Sequence, residues 1–334
     1  MSDQVQATRP LVSVVVPTYQ HAQFIAQCLD GILMQRASFS FEILVGEDES
    51  TDGTRKICER YAAEHPDRIR LFLRSRKDVI HINGKPTGRA NLLGLFQEAK
   101  GAFIAWCDGD DAWIDPNKLQ LQVDALLADP DAVACFTNAW NESDGVRSEY
   151  LNGTYTKVPN ARVEQSELLN AQGLPTCTFI CRTGKLRPLP DVLRRTPTCD
   201  TVLYTHISNF GHFIYLPVIT AVRHVHPGGV HSSTSAGSQY LTTFGNLPFL
   251  DEVSHFRHHA LIVERQRRMA KTGWVLAQQE GRMDLAKICW RIMAGMRKEV
   301  GWGLATTIRN YLKVYWPRTE TWAGRLWDRG FTRS

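Results

Sequence analysis

The chain reads as an α/β protein: a doubly wound, mostly parallel sheet flanked by helices, followed by a helical C-terminal extension. Three observations predict it. Short β-branched apolar runs alternate with helix-period segments through about residue 137, as in strands buried on both faces and joined by crossover helices. Two acidic clusters, Gly46-Glu47-Asp48-Glu49-Ser50-Thr51-Asp52 and Asp108-Gly109-Asp110-Asp111, follow directly on two of those runs, where such sheets hold ligands. Beyond Leu250 only helical spacing remains.

The elements follow in order. Leu11 to Val16 (LVSVVV) is a continuous β-branched run, a buried strand stopped by Pro17 and Thr18. Phe24, Ile25, Cys28, Leu29, Ile32 and Leu33 then recur at helical spacing. Phe41 to Val45 is a second strand, Thr54 to Ala63 a helix and Ile69 to Leu73 a third strand. Arg74 to Thr87 is a polar loop. Ala90 to Ala99 is a helix, and Ala102 to Cys107 a fourth strand that ends at the second acidic cluster. Pro116 to Leu127 is a helix with proline at its start, followed by a strand at Ala132 to Phe136. Asn138 to Gln172 is polar and less regular, and Leu174 to Cys181 has strand character. Asp200 to Asn209 is helical, and strands are expected at His212 to Leu216 and Val218 to His224. The Ser/Thr/Gly-rich stretch 231–237 (HSSTSAG) reads as a loop.

Bulk properties narrow the class. The chain has 334 residues, 43% hydrophobic and 22% charged, enough for one large core or two smaller ones. Met1 to Pro10 lacks the basic-then-apolar order of a signal peptide. The longest apolar stretch, Phe213 to Val222, contains Pro217 and is far short of the roughly 20 residues that span a bilayer. Eight cysteines at positions 28, 58, 107, 135, 177, 181, 199 and 289 form no C-x-x-C pair and read as buried free thiols. A cytoplasmic location is expected. The net charge of +5 is uneven. From Arg265 to Ser334 there are 15 Lys or Arg against 5 Asp or Glu, which leaves the remainder near −5.

The motifs exclude several chemistries. G-x-x-x-x-G-K-[ST], G-x-G-x-x-G, G-x-S-x-G and H-E-x-x-H are all absent, so P-loop, dinucleotide, nucleophile-elbow and zincin readings lose their support. Carboxylates crowded at strand ends repel one another and call for a cation or a donor-rich ligand. Oxygen ligands of the density of Asp108, Asp110 and Asp111 suit Mg²⁺ or Mn²⁺ bridging a diphosphate, or else they cap the helix that follows Pro116. Asp48 and Asp52 stand either at a ligand or at the N-terminus of the next helix, and Trp113 either at an acceptor or in the core.

Six segments together resemble the inverting family 2 glycosyltransferases of the GT-A fold. Val12-Ser13-Val14-Val15-Val16-Pro17-Thr18-Tyr19-Gln20 is similar to that family's opening V-S-V-V-x-P-x-Y-N. Gly46 to Thr54 (GEDESTDGT) resembles its D-D-x-S-x-D-x-T element, and Gly88-Arg89-Ala90-Asn91 its R-x-N segment. Asp108 to Pro116 (DGDDAWIDP) resembles its D-x-D motif, and Asp200 falls where it places a catalytic acid. Arg223-His224-Val225-His226-Pro227-Gly228-Gly229-Val230 is similar to its Y-R-x-H-x-G-G-x element, with His224 where Arg is usual. The resemblance covers about residues 10 to 235.

What the resemblance implies is a GT-A nucleotide-binding layer that moves a sugar from a nucleoside diphosphate sugar, UDP- or dTDP-linked, to a hydroxyl of a glycan or lipid-linked acceptor in bacterial surface polysaccharide assembly. It implies that Pro17, Thr18, Tyr19, Glu47 and Asp48 line the base pocket, and that Arg89 approaches the donor phosphates. Asp108 and Asp110 would hold the donor, Asp110, Asp111 and His226 would bind Mn²⁺ or Mg²⁺, and Asp200 would be the general base. Glu47 and Glu49 stand where the family more often has Asp and Gly and put extra negative bulk beside the base pocket. The processive Q-x-x-R-W motif is absent, which favours addition of single sugars. The competing readings are a sugar-phosphate nucleotidyltransferase, which would want a basic Gly-rich loop in place of Pro17-Thr18-Tyr19-Gln20, and a non-catalytic nucleotide-sugar-binding scaffold.

The expected organisation is a catalytic domain at residues 1–240, with its nucleotide half at about 10–137 and its acceptor half at 138–240, followed by a helical region at 241–334. Six of the nine tryptophans lie in that region, at 274, 290, 302, 316, 322 and 327, interleaved with Lys and Arg. Peripheral association with the inner face of a cell membrane and packing on a protein surface both suit this pattern. No nucleic-acid-binding motif accompanies it.

Overall fold

The computed structural model describes residues 9–153, 155, 161–170, 173–229, 234–298 and 300–315. Val230, residues 231–233 of the Ser/Thr/Gly-rich stretch, and the tail tryptophans Trp316, Trp322 and Trp327 lie outside the described residues. The chain forms two compact units, Met1–Ser233 with Glu252–Phe256, and Thr234–Asp251 with Arg257–Ser334, taken over their described residues.

In the first unit, strands and helices alternate as the hydrophobic period requires: β1 (Val12–Thr18), α1 (Ile25–Leu33), β2 (Phe41–Glu47), α2 (Thr54–Glu64) and β3 (Ile69–Leu73). A two-stranded hairpin follows, β4 (His81–Ile82) with β5 (Lys85–Pro86), inside the segment expected to be a plain loop. Next come α3 (Arg89–Glu98), β6 (Phe103–Trp106), β7 (Asp111–Trp113), α4 (Lys118–Ala128), β8 (Ala132–Ser143), β9 (Val146–Glu149), β10 (Ala161–Val163) and α5 (Gln165–Asn170). The unit continues with β11 (Ile180–Arg182), α6 (Thr183–Leu186), α7 (Asp200–Ile207) and β12 (His212–His224).

The main sheet runs β10-β12-β8-β11-β6-β1-β2-β3. The pairs β6–β1, β1–β2 and β2–β3 are parallel, β11 is antiparallel to β6 and β8, and β12 is parallel to β8. Val12, Val14, Val15 and Val16 are fully buried, because the central parallel strand is covered on both faces. Ile25, Cys28, Leu29 and Ile32 are the apolar stripe of α1 and join the same core. Helix α1 lies so close to β7 that a Cβ on Gly31 would stand 2.5 Å from the Trp113 carbonyl oxygen, so that contact requires glycine.

The structure departs from the sequence expectation at three further places. The acidic run DGDD does not simply end a strand. It turns back, with the Asp111 N–H donating to the Asp108 carbonyl at 2.9 Å, and Asp111 opens β7, which pairs with β12. The segment expected as a strand at 174–181 is a 3₁₀ turn at Thr176–Thr178 followed by β11; its carbonyls at Cys177 and Thr178 accept side-chain donors from Trp113 (2.6 Å) and Gln122 (2.8 Å) instead of a strand partner. The two strands expected between His212 and His224 are one, with register shifts around Pro217, whose missing N–H cannot enter a ladder. Trp113 is a core residue, with Lys118 Nζ 4.1 Å from its ring. All eight cysteines are buried and unbridged.

The second unit is helical: α8 (Ala236–Val253), α9 (His259–Gln279), α10 (Met283–Gly295) and α11 (Leu304–Tyr315). Among the described residues no helix is long and apolar enough to cross a membrane.

Candidate functional site

Parallel β1, β2 and β6 end side by side, so their C-terminal residues form one rim. Asp48 N–H donates to the Thr18 carbonyl, and Gly109 N–H to the Pro17 carbonyl, both at 3.0 Å, tying both acidic clusters to the end of β1. The loops after β1 and β2 are fastened together. Gln20 accepts from the Thr51 and Asp52 N–H groups at 3.1 Å, and its amide donates to Thr51 Oγ1 at 2.9 Å. Asp52 accepts from Thr54 and from the Ala22 N–H, so it anchors the start of α2 and not a ligand.

Asp48 is the acid left facing the rim. Arg76 Nη1 donates to its Oδ2 at 2.7 Å, and the Arg76 guanidinium lies 4.0 Å from the ring centre of Tyr19. Tyr19 is 37% exposed, so a flat aromatic face stands beside a carboxylate and a guanidinium. Desolvation raises the pKa of Asp48 against the opposing pull of Arg76. Glu47 does not join this group. It is fully buried, ion-paired with Arg55, and accepts from the Ser50 N–H at 2.7 Å. The longer side chain at position 47 is thus taken up beneath α2, where Arg55 neutralises it. Glu49 also turns away, accepting from the Arg76 N–H at 2.6 Å.

The second cluster splits its acids between two environments. Asp110 Oδ2 accepts from His226 Nε2 at 3.1 Å, and His21 Nε2 lies 3.7 Å from the same oxygen. His224 Nδ1 donates to the Asp110 carbonyl at 2.7 Å, so the usual arginine is replaced by a residue that holds the Asp110 backbone. Phe24 packs against both His224 and His226, with ring centres 5.2 and 4.5 Å away. Burial lowers the pKa of His21, outweighing the attraction of Asp110. Asp108 accepts from Trp106 Nε1 at 3.0 Å; burial, then the neighbouring Asp110 and Asp200, push its pKa up to about 7. Asp111 is buried on β7 within hydrogen-bonding reach of the Cys177 thiol. Burial, then Asp110 and Asp108, raise its pKa well above the usual range, and Arg223 opposes them.

Asp200 is the first residue of α7, where the positive end of the helix favours a carboxylate. It lies within electrostatic reach of Asp108, Tyr150 and Tyr204, raising the pKa of each after burial has done so. Arg89 is 6% exposed and does not reach the rim. Its guanidinium donates to the Leu193 carbonyl, to Thr196 Oγ1 (3.0 Å) and to the Thr196 carbonyl (3.3 Å). It therefore clamps the segment leading into α7, a positioning role for Asp200.

The structure thus gathers Thr18, Tyr19, Asp48, Asp108, Asp110, His226 and Asp200 from distant parts of the sequence around one sheet edge, and encloses Glu47, Arg89 and Asp111. It adds His21, Arg76 and Arg223, which sequence reading missed. None lies in an acidic cluster: Arg76 sits in a polar loop, and His21 meets Asp110 only because β1 and β6 are neighbours.

Gly109 is packed against this cluster. A Cβ there would stand 2.5 Å from Thr18 Oγ1 and 3.0 Å from His21 Nδ1. Gly109→Ala is expected to cost about 1–3 kcal/mol in urea unfolding and to weaken nucleotide binding. Unchanged stability would show that Thr18 and His21 give way freely.

Among the described residues no group of three His, Cys, Asp or Glu side chains could hold a metal ion. Asp110 and His226 supply one carboxylate and one imidazole side by side, a pair that suits Mn²⁺ better than Mg²⁺, which prefers oxygen donors.

Comparisons with known proteins bear on the family and the fold. An uncharacterized protein of Mycobacterium tuberculosis is 30% identical over 247 residues, 70% of this chain and 65% of its own length. The chain thus spans about 65% of that relative's length. Glycosyltransferase GlyG of Streptococcus pneumoniae is 29% identical over 181 residues, 53% of this chain and 56% of its own length. S. aureus TarS 1-349, solved in complex with UDP, superposes with a TM-score of 0.57 at 17% identity over 94% of this chain and 91% of that one. Mannosyltransferase PcManGT of Pyrobaculum calidifontis, in complex with GDP-Man and Mn²⁺, gives 0.54 at 20% identity over 93% and 89%. At these identities the two structures speak for the fold alone, which is GT-A. The model of the family described as glycosyl transferase family 2 matches residues 13–189, more than half of the sequence and both acidic clusters, and the chain belongs to that family.

Proposed function

We propose that this protein transfers a sugar from a nucleoside diphosphate sugar to a hydroxyl group, with inversion at the anomeric carbon. The observation that supports it most is that Asp200, at the start of α7, lies within electrostatic reach of Asp108, in the same acidic cluster as Asp110. Tyr19 supplies a stacking face for a base. Asp48 accepts from an N–H and Arg76 donates to a carbonyl, an order that matches N3–H and O4 of uracil or thymine. Asp200 takes the proton of the acceptor hydroxyl as it attacks the anomeric carbon, from the face opposite the leaving nucleoside diphosphate. With a single displacement the configuration inverts. Asp110 and His226, with Asp111 behind them, would hold Mn²⁺ or Mg²⁺. When bound, that ion neutralises charge on the departing diphosphate. The acceptor is a glycan or a lipid-linked glycan at the cytoplasmic face of a membrane, a setting suggested by the basic, Trp-rich C-terminal region. Bacterial surface polysaccharide assembly is the corresponding pathway class, and TarS in complex with UDP is the analogy for a uridine donor.

A thermal-shift panel of UDP, dTDP, GDP and CDP, each with and without Mn²⁺, tests this. A ligand at about a hundred times its Kd stabilises by about 2.7 kcal/mol. UDP or dTDP is expected to give the largest metal-dependent shift. CDP is expected to give none, because neutral cytosine has no N3–H to donate to Asp48. GDP, whose N1–H and O6 present the same donor–acceptor order, is the competitor that would change the donor assignment. No shift with any nucleotide would overturn the transferase reading.

A further inference from the structure

Helix α11 is built the wrong way round for a helix that only packs on its own unit. Its buried positions are Asn310 and Val314, whereas Leu304 is 63% and Ile308 44% exposed. Leu304, Ile308 and half-buried Leu312 follow at i, i+4 and i+8, so they form one stripe along the helix. Exposed Arg309 and Lys313 border that stripe, and α11 contains no acidic residue. Beside it, Trp290 of α10 packs against Tyr311 and Tyr315, with ring centres 5.1 and 5.6 Å away. Arg291 donates to the Tyr315 hydroxyl at 3.0 Å, and Lys287 lies 5.7 Å from the Tyr315 ring. Residues 283–315 carry 6 Lys or Arg against 2 Asp or Glu.

We propose that the Leu304–Ile308–Leu312 stripe of α11, with its Arg309 and Lys313 edge and the adjoining Trp290–Tyr311–Tyr315 group, docks on an anionic bilayer surface. The helix lies in the interface plane, its aliphatic side chains below the headgroups and its cations among the phosphates. Half-buried Trp and Tyr suit the same depth, apolar at one end and hydrogen-bonding at the other. Charge decides between occupants. A second copy meeting the same stripe would bring like-charged edges together. A nucleic acid would want aromatic faces for stacking, whereas the exposed side chains here are Leu and Ile. This inference gives the proposed membrane-side setting its surface and is independent of the transfer chemistry, so Asp200→Asn protein should bind membranes as wild type does.

The test is co-sedimentation of the full chain with vesicles of phosphatidylcholine alone or mixed with phosphatidylglycerol. The wild type is expected to sediment with the anionic vesicles only, and to be released by added salt. The double substitution Leu304→Ser with Ile308→Ser is expected to weaken binding by about a hundredfold, on the order of one decade per buried aliphatic side chain. Because both side chains are exposed, its thermal midpoint and its transfer to a soluble acceptor should match wild type. Wild type left in the supernatant, binding insensitive to salt, or undiminished binding by the double variant would each overturn the proposal. So would a wild-type dimer that the double variant dissolves, since the stripe would then belong to a second copy.

Discussion

Asp200→Asn is expected to lower sugar transfer by roughly 10²–10⁴-fold, the usual contribution of a positioned general base, while nucleotide affinity stays near wild type. The amide keeps the size and helix-terminal position of the carboxylate but cannot take a proton. The Asp200 carboxylate accepts from Thr201 Oγ1, whereas Asp48 pairs with Arg76, so the base pocket should be unaffected. Thermal shifts with nucleotide and initial rates with acceptor separate the two effects. A variant that transfers sugar within a few-fold of wild type would remove Asp200 from the base role. Loss of nucleotide binding in parallel with rate would make it a donor ligand instead.

Asp108→Asn is expected to stabilise the protein without ligands, by an amount that grows with pH. Burial and two neighbouring carboxylates hold the folded-state pKa of Asp108 near 7, above its unfolded value near 3.8. Between those values the native state binds the proton more tightly than the unfolded chain, so wild-type stability falls as pH rises from about 4 to about 7 and then levels off. Asparagine has no such penalty, and its side-chain oxygen still accepts from Trp106 Nε1. Its advantage should reach on the order of 1–3 kcal/mol above pH 7, after discounting for partial exposure, and should vanish near pH 4. Urea unfolding at a series of pH values measures it. A variant less stable than wild type across the range would show that Asp108 is stabilised where it stands and that the cluster does not store repulsion. On the proposed metal role, adding Mn²⁺ with a nucleoside diphosphate should stabilise wild type more than Asp108→Asn.

At the rim, Asp110 beside them adds to burial in raising the pKa values of Asp108 and Asp111. By contrast Glu47, also acidic and also at a strand end, is fully buried but meets Arg55 directly. The two clusters look alike in sequence and differ in whether a fixed cation of the chain neutralises them. Arg223 opposes the raised pKa values of Asp108 and Asp111 only in part.

The alternation of valine-rich strands with amphipathic helices was legible from the sequence, because strand and helix periods are local properties and a parallel sheet must be apolar on both faces. The acidic clusters were legible as a candidate site for the same reason: they sit where strands end, and strand ends in such sheets converge. Asp200 and His226 could be proposed only through their place in a family pattern, since a lone acid and a lone histidine have no local signature. What only the tertiary structure decided is which side chains face which way. Asp48 faces the rim while Glu47, one residue earlier, points beneath α2, because successive strand residues project to opposite faces. Arg89 is spent on the Leu193 and Thr196 carbonyls, since unpaired buried carbonyls are costly and its guanidinium is within reach. His21 and Arg76 enter the site across sheet neighbours and loop closure, contacts between residues up to 89 positions apart, as from His21 to Asp110. Helix α11 makes the same point: its period was readable, but that Leu304 and Ile308 are exposed while Asn310 is buried depends on where the rest of the unit packs.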